Sequence, residues 1–181
     1  RLYRLIGEYE QSILYLKQSI DICREIGNRR GEGVAFGNLG SVYKTLGEYD
    51  EAISCFEKSI NISRAIGNRR GEGIHLGNMG DCLICLGQLD KAAESLVQSI
   101  NICKEVFSLG AGAFLGSLAW VRAKQGLLEE ALSLLEEGEP LVKVYLLEYG
   151  KFLCKKSQIL HLAHQHEKSR AALQKVCQIA Q

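Results

Sequence analysis

The chain repeats itself, and that limits its fold more than any other feature. Residues 27–66 and 67–106 align without a gap and are identical at 18 of 40 positions, so one structural unit of that length must stack on its own copies. Both units open on Gly-Asn-Arg-Arg-Gly-Glu-Gly. A worn third copy follows, with Gly112 to Gly126 matching the first half and Leu128 to Leu135 the second. The glycines Gly7, Gly47, Gly87 and Gly126 punctuate the chain at intervals of 40, 40 and 39. A fourth copy fits the C-terminus, with His164 in the glycine's place and Ser169, Leu173 and Val176 after it. Upstream, Gly7 to Ile26 reads as the second half of a copy whose first half is missing. The expected organisation is a single array divided at 1–26, 27–66, 67–106, 107–138 and 139–181. The start at Arg1, without an initiator Met or an apolar signal core, predicts a piece of a longer chain.

Each unit splits into two helical patterns. Phe36, Leu39, Tyr43 and Leu46 fall on one face of a first helix, and Ala52, Ile53, Phe56 and Ile60 on one face of a second. Asp50 is expected to open the second helix and Gly67-Asn68 to close it, with Gly47 in a left-handed turn between the two. No segment alternates in the manner of a strand. The prediction is an all-α array of helical hairpins. Composition agrees, since 19 Gly beside a single Pro, with 46% hydrophobic residues, suits neither a flexible linker nor an all-β domain.

Charge and hydropathy narrow the partners. With 22 basic and 21 acidic side chains the net charge is +1, which argues against a nucleic-acid binder driven by a basic excess. No apolar run is long enough for a transmembrane helix, and no membrane partner is expected. The seven Cys are an odd set scattered among Ile, Leu and Ala at helical spacing, which reads as reduced thiols in a cytoplasmic protein.

Phe36, Leu39, Gly40, Tyr43, Gly47, Ala52, Phe56 and Ser59 stand at the spacing of the tetratricopeptide repeat pattern, which the chain resembles. The next unit holds Leu76, Met79, Gly80, Leu83, Gly87, Ala92, Leu96 and Ser99 in the same places, and the third holds Leu115, Leu118, Ala119, Arg122, Gly126, Ala131 and Leu135. The period of 40 rather than 34, and Arg64 and Lys104 where a Pro is usual, resemble the long-helix subclass of G-protein-signalling modulators, kinesin light chains and bacterial signalling proteins. The resemblance implies an α-solenoid of stacked antiparallel hairpins wound as a right-handed superhelix. It also implies a non-enzymatic scaffold that binds a peptide or helix of a partner protein in a concave groove. A regulatory or sensor segment of a larger signalling protein or transcriptional regulator is the alternative.

On that resemblance the groove set is Gly37, Asn38, Ser41, Lys44, Gly77, Asn78, Asp81 and Trp120. An asparagine amide offers both a donor and an acceptor to a bound main chain, and equally suits a structural cap or a bond between repeats. Gly37 and Gly77 either open the backbone to a ligand or let neighbouring helices touch, while Gly40 and Gly80 read as close-packing points. Trp120 is a groove platform or core filling. Arg29-Arg30 and Arg69-Arg70 recur one period apart and could clamp an acidic partner, or compensate helix ends with Glu32 and Glu72 neutralising them. Gly31-Glu-Gly33-Val-Ala-Phe-Gly37 has the wrong spacing for a dinucleotide fingerprint. Cys82 and Cys85 lack the second pair a zinc site needs, and the cluster His161, His164 and His166 lacks a third metal ligand at helical spacing. No cofactor, metal or catalytic residue is expected. The terminal helix before Gly27 is expected to leave Ile13, Leu16 and Ile20 uncovered and open to self-association.

Overall fold

The computed structural model describes residues 2–180, with side chains placed from residue 8 onward; the expected outer ends of the array, Arg1 and Gln181, lie outside the described residues. Among those residues the chain is helical from end to end. Its elements are α1 (Leu2–Glu25), α2 (Arg29–Leu46), α3 (Tyr49–Ala65), α4 (Arg69–Cys85), α5 (Leu89–Val106), α6 (Ser108–Lys124), α7 (Leu128–Val142), α8 (Leu146–Leu162) and α9 (His166–Ile179). Each packs against the next, joined by turns too short for anything but an antiparallel return. Contacts between next-but-one helices join α2 to α4, α4 to α6 and α6 to α8. The even-numbered helices therefore form one continuous layer, backed by the odd-numbered ones. The all-α solenoid read from the repeat is the fold.

The turns follow from the sequence. Gly47, Gly87 and Gly126 sit at φ of 82°, 73° and 83°, a left-handed backbone that side-chain-bearing residues resist. His164, in the glycine's place of the fourth copy, adopts φ 57° all the same. α1 runs unbroken through Gly7, where the spacing expects a turn. Asn28 and Asn68 belong to the following helices rather than to the ends of the preceding ones. Their side chains accept from the backbone N–H of Gly31 (2.9 Å) and Gly71 (3.1 Å) as N-caps. Asp50 does not open its helix: α3 starts at Tyr49 and places Asp50 and Glu51 in its first turn, where their charge meets the helix dipole favourably.

Within each hairpin, glycine lets the helices close on one another. A Cβ on Gly40 would lie 2.8 Å from the Phe56 ring, and one on Gly80 would lie 2.7 Å from Leu96. The buried hydroxyls of Ser59 and Ser99 donate to the carbonyls of Gly33 and Gly73 at 2.6 Å, so the small residue of the repeat pattern ties second helix to first. Ile13 and Leu16 are partly buried against α2, and Ile20 is fully buried beside Phe36 and Leu39. This corrects the expectation of an uncovered face at those three residues. The hydrophobic stripe of α1 faces the following helix, and Leu14, Tyr15, Ile22 and Ile26 are exposed instead. No helix among the described residues is long and apolar enough to cross a membrane.

Candidate functional site

The even-numbered helices are spaced by rings seated on glycines. A Cβ on Gly37 would lie 2.2 Å from His75 Nε2, one on Gly77 would lie 2.2 Å from the Phe114 ring, and one on Gly116 would lie 2.7 Å from the Phe152 ring. Each ring belongs to the next even-numbered helix. This settles the alternatives for Gly37 and Gly77: both are buried, and the space over them is filled by His75 and Phe114. Their backbone is not open to a ligand, which corrects their place in the groove set.

Close approach of these helices leaves a cavity of about 500 Å³ along their shared face. Ile74, Phe107, Leu109 and Phe114 form an apolar part, while Lys44, Asn78, Asp81, Ser117 and Lys155 form a polar one. The polar groups are one network drawn from α2, α4, α6 and α8. Lys44 Nζ donates to Asn78 Oδ1 and to Asp81 Oδ2, each at 3.0 Å. Ser117 Oγ donates to Asp81 Oδ1 at 2.7 Å, and Lys155 Nζ donates to Ser117 Oγ at 2.6 Å and stands 4.0 Å from Asp81. Burial pushes the Asp81 carboxyl up, but Lys155 and Lys44, with the hydrogen bonds from Ser117 and Lys44, outweigh it and hold it below its ordinary value. The carboxylate is thus a fixed anion between two ammonium groups, and the cluster keeps one positive charge in surplus.

Of the residues expected in the groove, Lys44, Asn78 and Asp81 meet in this cavity. Asn38 does not join them; it lines a separate recess between α1 and α2 with Cys23 and Arg30. Ser41 donates to the Gly37 carbonyl at 3.0 Å. Trp120 packs against the cluster of Ala119, Leu135 and Phe152 with Lys124 Nζ 4.7 Å over its ring, and is not among the residues that line the cavity. Ser117 and Lys155 were missed. Ser117 stands one unit after Asn78 and was open to the repeat arithmetic. Lys155 lies in the worn fourth copy, where the pattern gives no alignment to follow.

The arginine pairs divide their work. Arg29 donates to Glu32 Oε2 at 2.5 Å while Arg24 takes Oε1 at 2.8 Å, and Arg69 and Arg64 hold Glu72 in the same way, each at 2.7 Å. Glu32 and Glu72 are buried, and each is held by two guanidiniums that join consecutive helices. Arg29 and Arg69 are therefore occupied, which corrects their assignment as partner contacts. Arg30 is exposed, and Arg70 lies 4.4 Å over the Phe107 ring. Cys82 is fully buried, its thiol pushed up to about 11 by desolvation, whereas Cys85 is exposed, and its proximity raises the Tyr49 hydroxyl above its ordinary value. His161 and His166 approach at 3.3 Å between their Nδ1 atoms.

The tetratricopeptide repeat family model matches residues 1–65 and 31–105, more than half of the chain. The chain belongs to the tetratricopeptide repeat family. Solved structures agree on the fold. Nearly identical TPR-like repeats from Podosopora anserina, assigned to a kinesin light chain, superpose with a TM-score of 0.71 at 18% identity, over 99% of this chain and 90% of that one. The apo form of RapI gives 0.71 at 17% identity over 98% and 79%. Aspartyl phosphate phosphatase F from Bacillus subtilis gives 0.70 at 17% identity over 99% and 57%. No curated protein matches the chain in sequence. Tetratricopeptide repeat arrays are in general scaffolds for protein–protein interaction, and this array is one of them.

Proposed function

We propose that the array is a non-catalytic scaffold that binds a peptide or helical segment of a partner protein in the cavity along α2, α4, α6 and α8. The reading rests on a single observation: the four even-numbered helices α2, α4, α6 and α8, with Phe107 at the start of α6, contribute an apolar wall and a hydrogen-bonding floor to one continuous recess. Ile74, Phe107, Leu109 and Phe114 supply burial, and Asn78 keeps its amide N–H groups for a bound main chain while its oxygen takes Lys44. The units 27–66, 67–106 and 107–138 with part of 139–181 would then each lend one helix to the recess. Carriage of the array within a larger regulatory protein would leave this chemistry unaltered.

The test compares the two asparagines. Asn78→Ala is expected to weaken retention of a partner, captured by the wild-type array and mapped to a peptide, by about tenfold, the loss of one or two buried hydrogen bonds. Asn38→Ala, outside the recess, is expected to leave it unchanged. Both variants should keep the wild-type circular dichroism and melting temperature. Equal loss from both, or none from Asn78→Ala, would count against the groove.

A further inference from the structure

The turn between α8 and α9 is bonded like the three before it, yet its side chains differ in kind. The His164 N–H donates to the His161 carbonyl at 3.0 Å and the Gln165 N–H to the Leu160 carbonyl at 2.8 Å, as the Gly47 and Glu48 N–H groups do to Lys44 and Tyr43. Where the earlier turns place Gly47, Gly87 and Gly126, this one holds His164 in the left-handed region, at φ 57°, a conformation that costs free energy in any residue with a side chain. Two residues later the earlier turns place Tyr49, Leu89 and Leu128, each packed against the core. Here that place is taken by His166, which is exposed. His161, three residues before the left-handed position, is exposed as well. Neither the turn nor the core requires an imidazole at any of the three places.

The turn brings together what helical spacing along the chain keeps apart. His161 lies in the last turn of α8 and His166 is the first residue of α9, so the second imidazole folds back onto the first. Their ring centroids are 4.9 Å apart with the planes at 61°, and their Nδ1 atoms approach to 3.3 Å. The His164 ring is 6.1 Å from that of His166. One shared proton can join the two nitrogens, at a separation on the long side for a hydrogen bond. The same separation is the edge of a metal tetrahedron. Zn–N bonds of about 2.05 Å at tetrahedral angles put two nitrogens about 3.3 Å apart, against about 2.9 Å for ligands at right angles. Imidazole is also a ligand type that Zn2+ favours.

We propose that His161 and His166 bind a Zn2+ ion through their Nδ1 atoms, with His164 drawn in as the third protein ligand and water in the open position. The ion takes the place of the proton between the two rings, and each imidazole then carries its own proton on Nε2. No three ligands stand ready assembled among the described residues, so it is the ion that completes the set, and His164 is the remaining imidazole at this turn. Bound Zn2+ would fasten α9 to α8 and tie the stability of the worn fourth copy to the metal. None of the three histidines lines the recess along the even-numbered helices, so this site is independent of the peptide groove.

The experiment is calorimetric titration of the chain with Zn2+ in deoxygenated buffer, repeated with Co2+ as a spectroscopic probe. Zn2+ is expected to bind at a single site and to raise the melting temperature, and Co2+ to show the intense visible absorption of tetrahedral coordination. His161→Ala and His166→Ala should each lower Zn2+ affinity by about a hundredfold, with unchanged circular dichroism because both residues are exposed. His164→Gly gives the left-handed position the residue of the other turns. It should lower affinity by about tenfold without weakening the metal-free array, so that its loss is the loss of a ligand. Absence of Zn2+ binding, affinity retained by His161→Ala or His166→Ala, or the weak absorption of octahedral Co2+ overturns the proposal. So does undiminished affinity in His164→Gly, because the site would then be no three-histidine site. Binding that is lost on alkylating the exposed thiols of Cys85, Cys154 and Cys177, but not on replacing the histidines, overturns it too and places the ion on cysteine.

Discussion

Gly77→Leu is expected to destabilise the array by about 3 kcal/mol, whereas Gly150→Ala is expected to stabilise it by about 1 kcal/mol. Both glycines are helical, so helix propensity alone predicts a gain at either site. What separates them is the space above each. Three atoms of the Phe114 ring lie 2.2, 2.3 and 2.4 Å from where a Cβ on Gly77 would stand. Phe114 is itself only 8% exposed, so the ring has nowhere to go without parting α4 from α6. Nothing comes within 4 Å of a Cβ on Gly150. Urea unfolding followed by circular dichroism reads both effects. Adding Phe114→Ala to Gly77→Leu should recover part of the loss, a coupling expected of groups that share one space. Independent effects of the two substitutions would show that the ring is not what the glycine accommodates.

These glycines also mark where the sequence was legible. Gly47, Gly87 and Gly126 were readable because a turn constrains its own residue: a left-handed backbone favours glycine whatever surrounds it. Gly37 and Gly77 were ambiguous because their use depends on a neighbour in the next unit. The partners were nonetheless in view. His75, Phe114 and Phe152 each lie two or three residues ahead of the next unit's corresponding position, and a ring that recurs beside a recurring glycine is a packing signal. Reading that pair needs both residues at once, which a pattern taken within one unit does not supply. The arginine pairs were ambiguous for the same reason. Arg29 and Arg69 share a buried glutamate with Arg24 and Arg64 of the preceding helices, while Arg30 and Arg70 stay exposed. Of the residues that line the cavity, Lys44, Asn78 and Asp81 were within reach of the pattern because they belong to the two best-matched units. Lys155 escaped because its unit has lost the pattern while keeping the helix.

Acid should weaken the array through His75, and His75→Phe should remove that weakness. Burial lowers the pKa of this histidine from 6.5 to about 4, so the fold favours the neutral ring. The geometry explains the preference. Ser59 Oγ gives its proton to the Gly33 carbonyl at 2.6 Å, so it can only accept at 2.8 Å from His75 Nδ1. That assigns the proton to Nδ1 and leaves Nε2 bare against Gly37. A second proton there would meet the closely packed backbone of α2, where the Gly37 carbonyl already takes the Ser41 hydroxyl. The unfolded chain binds that proton near pH 6.5, and the folded one only near 4. Stability from this residue is therefore complete above about pH 6.5 and is lost as pH falls toward 4, by about 3 kcal/mol at most. Phe114 and Phe152 occupy the corresponding seats on Gly77 and Gly116 without a titratable group, and Ser59 keeps its bond to Gly33 when the imidazole is gone. Carboxylates titrate in the lower part of the same window, so the informative quantity is the difference in unfolding free energy between wild type and His75→Phe across pH. It should be small or favour the wild type at pH 7.5 and swing toward the variant below pH 6. A difference that stays flat from neutral to acid would mean the ring is solvated in the folded array and that its seat on Gly37 opens freely.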